Sequence, residues 1–323
     1  MKPVSVIFLL VSVVLVITGI IMCSAAMLQA NNTGVELYDT VIVDGRSEAV
    51  YDFSSENISK IQIDVNDCNV EIVYGASEDK VIIRNFSSAG YVYDIENKAV
   101  LVEDAMNISS LEDVLIDVAQ GDFHFKGFRY FLRDRELSGE QKEITVYLSG
   151  KFDIKVVDVA VENGMISVKN GTGSTDYTLY AEKGDIYLSD TVTDSVASLE
   201  TGEGNIRVMG VTASSVEMKT GKGNIDADIS ACTVNAESAK GNVTVISHDD
   251  LEKFNYNLYS PKGTITLGEL TKQGSHRAVN AMLTNLISAT AYDGNISVKP
   301  YVGQVDGEET QESGTSQTET SAE

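Results

Sequence analysis

The feature that most restricts the fold is a ten-residue phrase that recurs through the second half of the chain. Its clearest copies begin at Leu199, Met218 and Ala236, and each has an apolar residue, then a small one, then Gly-Asn, then Ile or Val. The turn glycines of seven copies lie 18 to 31 residues apart, at Gly164, Gly184, Gly204, Gly223, Gly241, Gly263 and Gly294. A period near 20 residues is typical of stacked repeats.

Each copy has the alternation of two short strands around a turn. Leu179 and Ala181 precede one glycine, and Ile186 and Leu188 follow it, with polar residues between them. This spacing predicts strands with one buried face, and Gly-Asn predicts a turn because both residues reach positive φ at low cost. One rung buries too little apolar surface to be stable alone. We therefore predict an all-β chain, a single-domain parallel β-helix-like solenoid over residues 58–301 with rungs of about 20 residues.

Two further columns run through the repeats. The residue three positions before the turn glycine is small, which predicts a narrow corner of the coil; these residues are Ala181, Thr201, Thr220, Ser238, Ser260 and Ala291. The residue after the glycine is a short amide or acid, at Asp185, Asn205, Asn224, Asn242 and Asn295. This second column is either a ladder of ligands or a stack of side chains that hydrogen-bond to one another.

The N-terminus carries an apolar stretch without a charged residue from Val4 to Leu28, preceded by Lys2. Its length matches a bilayer span of about 20 residues, and Lys2 favours a cytoplasmic N-terminus. We therefore predict a single-pass anchor over 1–30 in the cell membrane, with the bulk of the chain outside and a polar spacer over 31–57. Two alternatives remain open, namely cleavage near Ser24 to Ala26 and lipidation at Cys23.

Composition excludes some partners. A formal charge of -24 gives no basic surface for nucleic acid, whereas it suits an exposed surface outside the cell. The three cysteines give no disulfide framework, because Cys23 lies in the apolar N-terminal stretch and Cys68 and Cys232 are far apart in the repeat register. Buried free thiols are therefore expected at Cys68 and Cys232.

The repeats are interrupted by an irregular insertion at 104–142. Apolar residues at Leu111, Val114, Leu115 and Val118 predict a short amphipathic helix. The run from Phe123 to Arg135 then combines five aromatic with four basic residues, which favours contact with anionic lipid, a wall polymer or an envelope protein. The simpler alternative is a cap over an open end of the coil. The candidate contact residues are Phe125, Lys126, Phe128, Arg129, Tyr130, Phe131 and Arg133.

Two segments near the C-terminus depart from the repeat. Apolar positions at 279, 282, 283, 286 and 287 have helical spacing, so a helical excursion or end cap is expected over 275–287. The segment 302–323 is acidic and rich in Ser, Thr, Gln and Gly, and we expect it to be disordered.

The succession of Gly-Asn turns, preceded by Glu143 to Leu148 and a first rung from Glu162 to Val168, resembles the bacterial DUF4097 family of β-strand repeats over residues 58–300. The resemblance implies a β-helix-like solenoid, usually behind a membrane segment and sometimes linked to envelope stress, with an adhesin label and no catalytic residues. One departure is Ser149, where that family often has proline.

No residue pattern points to catalysis. Asp226 and Asp228 share a strand face, and His248, Asp249 and Asp250 share a loop, but neither group has a second constellation beside it, so we expect no catalytic residue, cofactor or metal. The expected function is therefore a membrane-anchored extracytoplasmic solenoid that presents a binding surface, as an adhesin or an accessory of envelope signalling. The alternatives are a carbohydrate-active β-helix enzyme that acts on cell-wall glycans and a self-assembling structural rod.

Overall fold

The structure, a computed structural model, describes residues 41–43, 46–86, 91–96, 98–104 and 141–302 of the 323-residue chain. Within these ranges the chain is almost entirely β-strand, which confirms the all-β prediction, and the one helical turn is 3₁₀ at Leu251–Lys253. The expected anchor at 1–30, the helix and contact residues of the insertion, and the tail beyond residue 302 lie outside the described residues. In the described ranges, no helix is long and apolar enough to span a bilayer.

The described strands are numbered in chain order. They are β1 Val41–Val43, β2 Arg46–Asp52, β3 Lys60–Tyr74, β4 Lys80–Arg84, β5 Tyr91–Glu96, β6 Ala99–Asp104, β7 Lys142–Leu148, β8 Val156–Asn163, β9 Ile166–Lys169, β10 Thr172–Gly173, β11 Asp176–Lys183, β12 Ile186–Ser189, β13 Val192–Thr193, β14 Val196–Glu203, β15 Ile206–Lys222, β16 Ile225–Ser238, β17 Val243–Ser247, β18 Phe254–Leu267, β19 Leu270–Ala278, β20 Asn285–Ala291 and β21 Ile296–Pro300.

The chain divides into two compact units. Among the described residues, the smaller unit holds 41–43, 46–51, 81–86, 91–92, 104 and 141–143, and the larger holds the rest. In the smaller unit, β1 and β2 form an antiparallel pair, and Nε of Arg84 donates to Oε2 of Glu48 at 2.7 Å. The rings of Phe86 and Tyr91 meet edge to face at 5.6 Å.

The larger unit contains two parallel ladders of strands, and each regular rung gives one strand to each ladder. The first ladder runs through β3, β8, β11, β14, β15, β16, β20 and β18. The second runs through β3, β9, β12, β15, β16, β17, β21 and β18. Leu199 pairs with Leu179 and Met218, and Met218 pairs with Ala236, so registered residues lie 18 to 20 apart. This spacing is the period of the glycines.

The core of the larger unit lies between the two ladders. Alternate side chains of each strand point inward, and Leu179, Leu199, Ile206 and Val208 are each at most 1% exposed. Because every inward position is matched by one in the next rung, the apolar interior is continuous along the stack, and burial of such aligned aliphatic side chains is the main stabilising contribution.

The rung formed by β3 has no turn glycine. β3 pairs in parallel with β8 and β9, and Cys68 takes the place of the glycine in this rung. Its side chain is completely buried, as expected, but Cys232 is exposed, so the expectation of a buried thiol is wrong there. Cys232 follows the inward-facing Ala231, and a side chain in the next position of a strand points to the opposite face.

The last rungs do not stack in sequence order. β20 pairs with β16 on one side and β18 on the other, and β21 lies between β17 and β18 in the same way. The turn glycines therefore stack in the order Gly241, Gly294, Gly263. The segment between β18 and β20 leaves the stack as an antiparallel strand, β19, which covers β18.

The helix predicted over 275–287 is absent. These residues form the end of β19, a turn and the start of β20. The helical spacing was misleading because its apolar positions do not share a face: Met282 is 92% exposed and Val279 is 66% exposed, whereas Ile287 is buried in the core. β19 satisfies the edge of β18 by backbone pairing, so the end cap here is a strand.

Candidate binding face

The turn glycines are required by the closeness of neighbouring rungs. A Cβ added at Gly184, Gly223 or Gly294 would lie 1.8 to 1.9 Å from the carbonyl oxygen of the adjacent turn. No real Cβ contact is that short, so only glycine lets the turns stack at the strand spacing. This column of the sequence is therefore structural.

The Asn column is a ladder of hydrogen bonds between rungs. The side-chain oxygen of Asn205 accepts from the backbone N–H of Asn224 at 2.9 Å, and that of Asn224 accepts from Asn242 at 2.8 Å. Asn242 and Asn295 continue the ladder. The column is therefore a hydrogen-bonded stack, as in the second alternative. Most of its bonds, however, join a backbone N–H to the side-chain oxygen of the adjacent rung, and side chains bond to each other only at Asn205 with Asp185 and at Asn295 with Asn242.

The small corner residues do more than fit a narrow space. The hydroxyls of Thr201, Thr220, Ser238 and Ser260 donate to the turn carbonyls of adjacent rungs at 2.8 to 2.9 Å. All four side chains are at most 1% exposed. Each hydroxyl thus provides a hydrogen bond to a turn carbonyl that is not paired in the strand ladders. The predominance of Ser and Thr over Ala in this column was the sequence signal for it.

Outward side chains of the first ladder form the surface best suited to binding, which we call the binding face. It is defined by the outward residues of β14, β15, β16 and β20, with β11 and β18 at its two ends. One column along it consists of Tyr180, Glu200, Lys219, Glu237, Thr290 and Tyr259. The neighbouring column consists of Thr178, Ser198, Glu217, Asn235, Ser288 and Asn257.

A groove of about 330 Å³ lies on this face, lined by polar residues of both columns over a floor that includes Leu199, Met218 and Ala236. Its volume is at the lower end of the range for small-molecule sites. Nζ of Lys219 donates to Oε1 of Glu200 at 2.7 Å, and this bond and the charge of Glu200 raise the pKa of Lys219. The groove lining has three carboxylates, those of Glu200, Glu217 and Glu237, and one cation, Lys219, so the groove carries a net negative charge.

Exposed tyrosines lie at both ends of the binding face. Tyr180 is 42% exposed at one end, and at the other Tyr259 and Tyr292 are 43% and 46% exposed. The last two rings meet edge to face with centroids 6.1 Å apart. An exposed tyrosine offers a flat apolar ring and a polar hydroxyl at low entropic cost, which makes it a common contact residue.

A second group, which sequence reasoning left apart, comes together on the other ladder. Asp228 lies on β16 and hydrogen-bonds to Nε2 of His248, and the imidazole stacks on Tyr301 with centroids 4.0 Å apart. The register of β16 and β17 places the loop that holds His248 beside Asp228. In the described part of the chain, His248 has no hydrogen bond from a nucleophilic hydroxyl or thiol. The group fastens the chain after β21 to the stack.

The described residues include no cluster of three or more His, Cys, Asp or Glu side chains with metal-binding geometry. The contact residues predicted from the insertion, which are Phe125, Lys126, Phe128, Arg129, Tyr130, Phe131 and Arg133, lie outside the described residues. The binding face was not predicted from sequence, because its residues are ordinary surface types whose alignment depends on the register of six strands.

The family follows from a match along most of the repeats. A sequence model described as Toastrack DUF4097 matches residues 58–231 and 109–299, which together cover more than half of the chain. The chain belongs to the DUF4097 family. No relative of this DUF4097 protein is found among curated proteins.

Solved structures similar to this DUF4097 chain include two candidate adhesion proteins. One is a cell adhesion protein from Clostridium sporogenes, with 10% identity and a TM-score of 0.35, covering 79% of this chain and 100% of its own. The other is an adhesin from Bacteroides fragilis, with 13% identity and a TM-score of 0.43, covering 80% of this chain and 99% of its own. A candidate lipid-binding protein from Parabacteroides distasonis has 10% identity and a TM-score of 0.30, covering 79% of this chain and 97% of its own.

The departure of this DUF4097 chain at Ser149 has a structural counterpart. The N–H and hydroxyl of Ser149 donate to the two carboxylate oxygens of Asp79, each at 2.7 Å. Asp79 is only 3% exposed, so it depends on these bonds to replace water. Proline would remove both donors, which explains how serine and the buried carboxylate are linked in this chain.

Proposed function

We propose that this DUF4097 protein is a membrane-anchored extracytoplasmic β-solenoid that presents the binding face to a partner in the cell envelope, as an adhesin or an accessory of envelope signalling. The observation that carries the proposal is the binding face itself. Its residues are aligned by parallel register over six strands, so a rigid scaffold holds a groove and exposed tyrosines at fixed spacing. Binding residues held on a rigid scaffold lose little entropy when a partner is bound.

Two features of the sequence support the proposed localisation at the outer side of the membrane. The uncharged stretch from Val4 to Leu28 is long enough to span a bilayer. The formal charge of -24 keeps copies of the chain apart and soluble at an exposed surface. The aromatic and basic run from Phe123 to Arg135 is proposed as a second contact, toward lipid or a wall polymer.

The exposed thiol of Cys232 allows the proposed localisation to be tested in intact cells. Cys68 is buried, so a membrane-impermeant maleimide should reach Cys232 when the larger unit lies outside the membrane. We expect labelling of the full chain without lysis and its loss in Cys232→Ser. Labelling that requires lysis would refute the proposed orientation.

The binding role is tested by sedimenting the detergent-solubilised full chain with purified envelope fragments. Changing both Tyr180 and Tyr259 to Ser should release the chain, because both rings are exposed on the binding face. Tyr187, on the outward side of the second ladder, supplies the control Tyr187→Ser, which should sediment like the unmodified chain. Equal sedimentation of all three proteins would refute a role for the binding face.

A further inference from the structure

The binding face has a shape that suits a linear ligand. Tyr180 and Tyr259 stand in one column and are separated by five register steps. At about 4.8 Å between neighbouring strands, the two rings are about 24 Å apart. The groove lies between them and runs across the strands. A ligand that contacts both rings must therefore be an extended polymer segment.

The charges in the groove select among such polymers. Lys219 is paired with Glu200 and lies beside Glu237 in the register, so one cation serves two carboxylates of its column, and Glu217 in the neighbouring column adds a third negative charge. Neither Glu217 nor Glu237 has an ion-pair partner within the described residues. Carboxylates that converge on a groove favour a ligand with ammonium groups. The tyrosine rings favour the same ligand, because a cation over an aromatic face is attracted by its quadrupole.

The backbone of the face argues for sugar over peptide. The four strands of the groove, β14, β15, β16 and β20, each have a parallel neighbour on both sides, so their backbone N–H and C=O groups are not free to pair with an extended peptide. Recognition must come from side chains, and Ser198, Asn235, Ser288 and Thr290 offer hydroxyl and amide groups along the groove. A chain of hydroxyl-rich pyranose rings advances by a distance close to one strand spacing, so successive rings can meet successive rungs.

We propose that the binding face binds a linear glycan that carries free amino groups. The inference rests on the proposed function and specifies its ligand. The ammonium groups contact Glu217 and Glu237, and terminal sugar rings lie against Tyr180 and Tyr259. Since Glu217 and Glu237 are solvent-exposed, the ionic part of the affinity is screened by salt.

The test uses calorimetric titration of the detergent-solubilised full chain with three pentasaccharides. The glucosamine pentamer has five free amines, the N-acetylglucosamine pentamer has the amines blocked, and cellopentaose has none. We expect binding of the glucosamine pentamer, with affinity lower for the other two by about tenfold because charge-assisted bonds are lost. Equal affinity for all three, or tighter binding of cellopentaose, would overturn the role of the amines.

Matched variants assign the site. Changing Glu217 and Glu237 to Gln should weaken the glucosamine pentamer by about tenfold, since two charge-assisted contacts are removed. Changing Asp226 and Glu269 to Asn and Gln removes the same charge from exposed or half-buried sites off the groove and should leave affinity unchanged. Circular dichroism and the unfolding midpoint establish that both variants fold. Equal weakening by the two variants would mean that net charge, and not the groove, attracts the ligand.

A lysine pentapeptide separates glycan from peptide. If it binds as tightly as the glucosamine pentamer and depends on the same two glutamates, the glycan assignment is wrong. If no pentamer binds although Cys232 is labelled outside the cell and the tyrosine variants lose sedimentation, the glycan inference fails while the proposed function stands. If no pentamer binds and the tyrosine variant sediments like the control and the unmodified chain, the glycan inference and the binding role of the face are both wrong.

Discussion

Replacing Gly223 by alanine is the sharpest perturbation of the stack. Gly223 has a φ of +154°, and its added Cβ would lie 1.9 Å from the carbonyl oxygen of Gly204. Cβ contacts below 3.0 Å essentially do not occur, so the two turns must separate by at least 1.1 Å, the difference between 3.0 and 1.9. The perturbation is local, because the side chain itself is a single methyl group.

The energetic effect follows from the bonds that join these two turns. Gly204 N–H donates to Lys222 at 2.8 Å, Ile206 N–H donates to Asn224 at 2.9 Å, and Thr220 Oγ1 donates to Gly204 at 2.8 Å. A separation of 1.1 Å takes all three beyond hydrogen-bonding distance. At about 1 kcal/mol for each bond and about 1 to 3 kcal/mol for the backbone strain, Gly223→Ala should lower the free energy of unfolding by about 4 to 6 kcal/mol.

Gly268 supplies the matched control. It also has a positive φ, +55°, but nothing lies within 4 Å of its added Cβ. Gly268→Ala should therefore show the backbone strain alone, about 1 to 2 kcal/mol. Urea unfolding of the solubilised chain, followed by far-ultraviolet circular dichroism, measures both values from the midpoint and slope. A loss at Gly223 no larger than that at Gly268 would refute the close stacking of the turns.

Two further predictions concern buried polar groups of the larger unit. Ser149→Pro should destabilise by about 3 kcal/mol or more, since a buried carboxylate loses two donors, whereas Asp79→Asn/Ser149→Ala should recover part of the loss; equal unfolding midpoints for Ser149→Pro and the unmodified chain would contradict the bonds between Ser149 and Asp79. Burial and then the charge of Asp250 raise the pKa of Tyr256 to about 12, so its neutral form is favoured in the folded chain. Its stabilising contribution should be complete below about pH 10, where the unfolded phenol is also neutral, and fall as pH rises toward 12. Tyr256→Phe should make the alkaline decline shallower, and an unchanged pH profile would contradict this assignment.

The repeat unit could be predicted from the sequence because its signals are local. Gly204, Gly223 and Gly241 occupy turns whose backbone requires glycine, and the alternation beside them marks strands with one inward face. The same reasoning applies to Cys68, where the rung shape survives without its glycine. Turn-forming residues and the two-residue alternation of apolar and polar positions depend only on near neighbours in the chain, so they can be recognised in a single sequence.

Longer-range features could not be predicted in this way. The spacing of Val279, Met282 and Leu286 predicted a helix. Instead, the strands on either side of the turn, β19 and β20, both pair with β18. The contact of Asp228 with His248 joins residues 20 apart, and it depends on the register of β16 with β17. Likewise, the binding face exists only once six strands are aligned, so no single segment carries its signature.

The exchanged order of the last rungs has a consequence for how this chain can be completed. Growth of a regular stack can proceed one rung at a time from the N-terminal end, because each new strand finds its neighbour already formed. Here β18 lies two positions beyond β16 in the first ladder and two beyond β17 in the second, and the positions between are filled by β20 and β21, which are synthesised later. A chain cut after residue 267 would therefore be missing an internal layer and would expose two facing edges. β20 and β21, which lie within residues 285–300, close the stack from within, so removing them should destroy the order of β18 as well as their own.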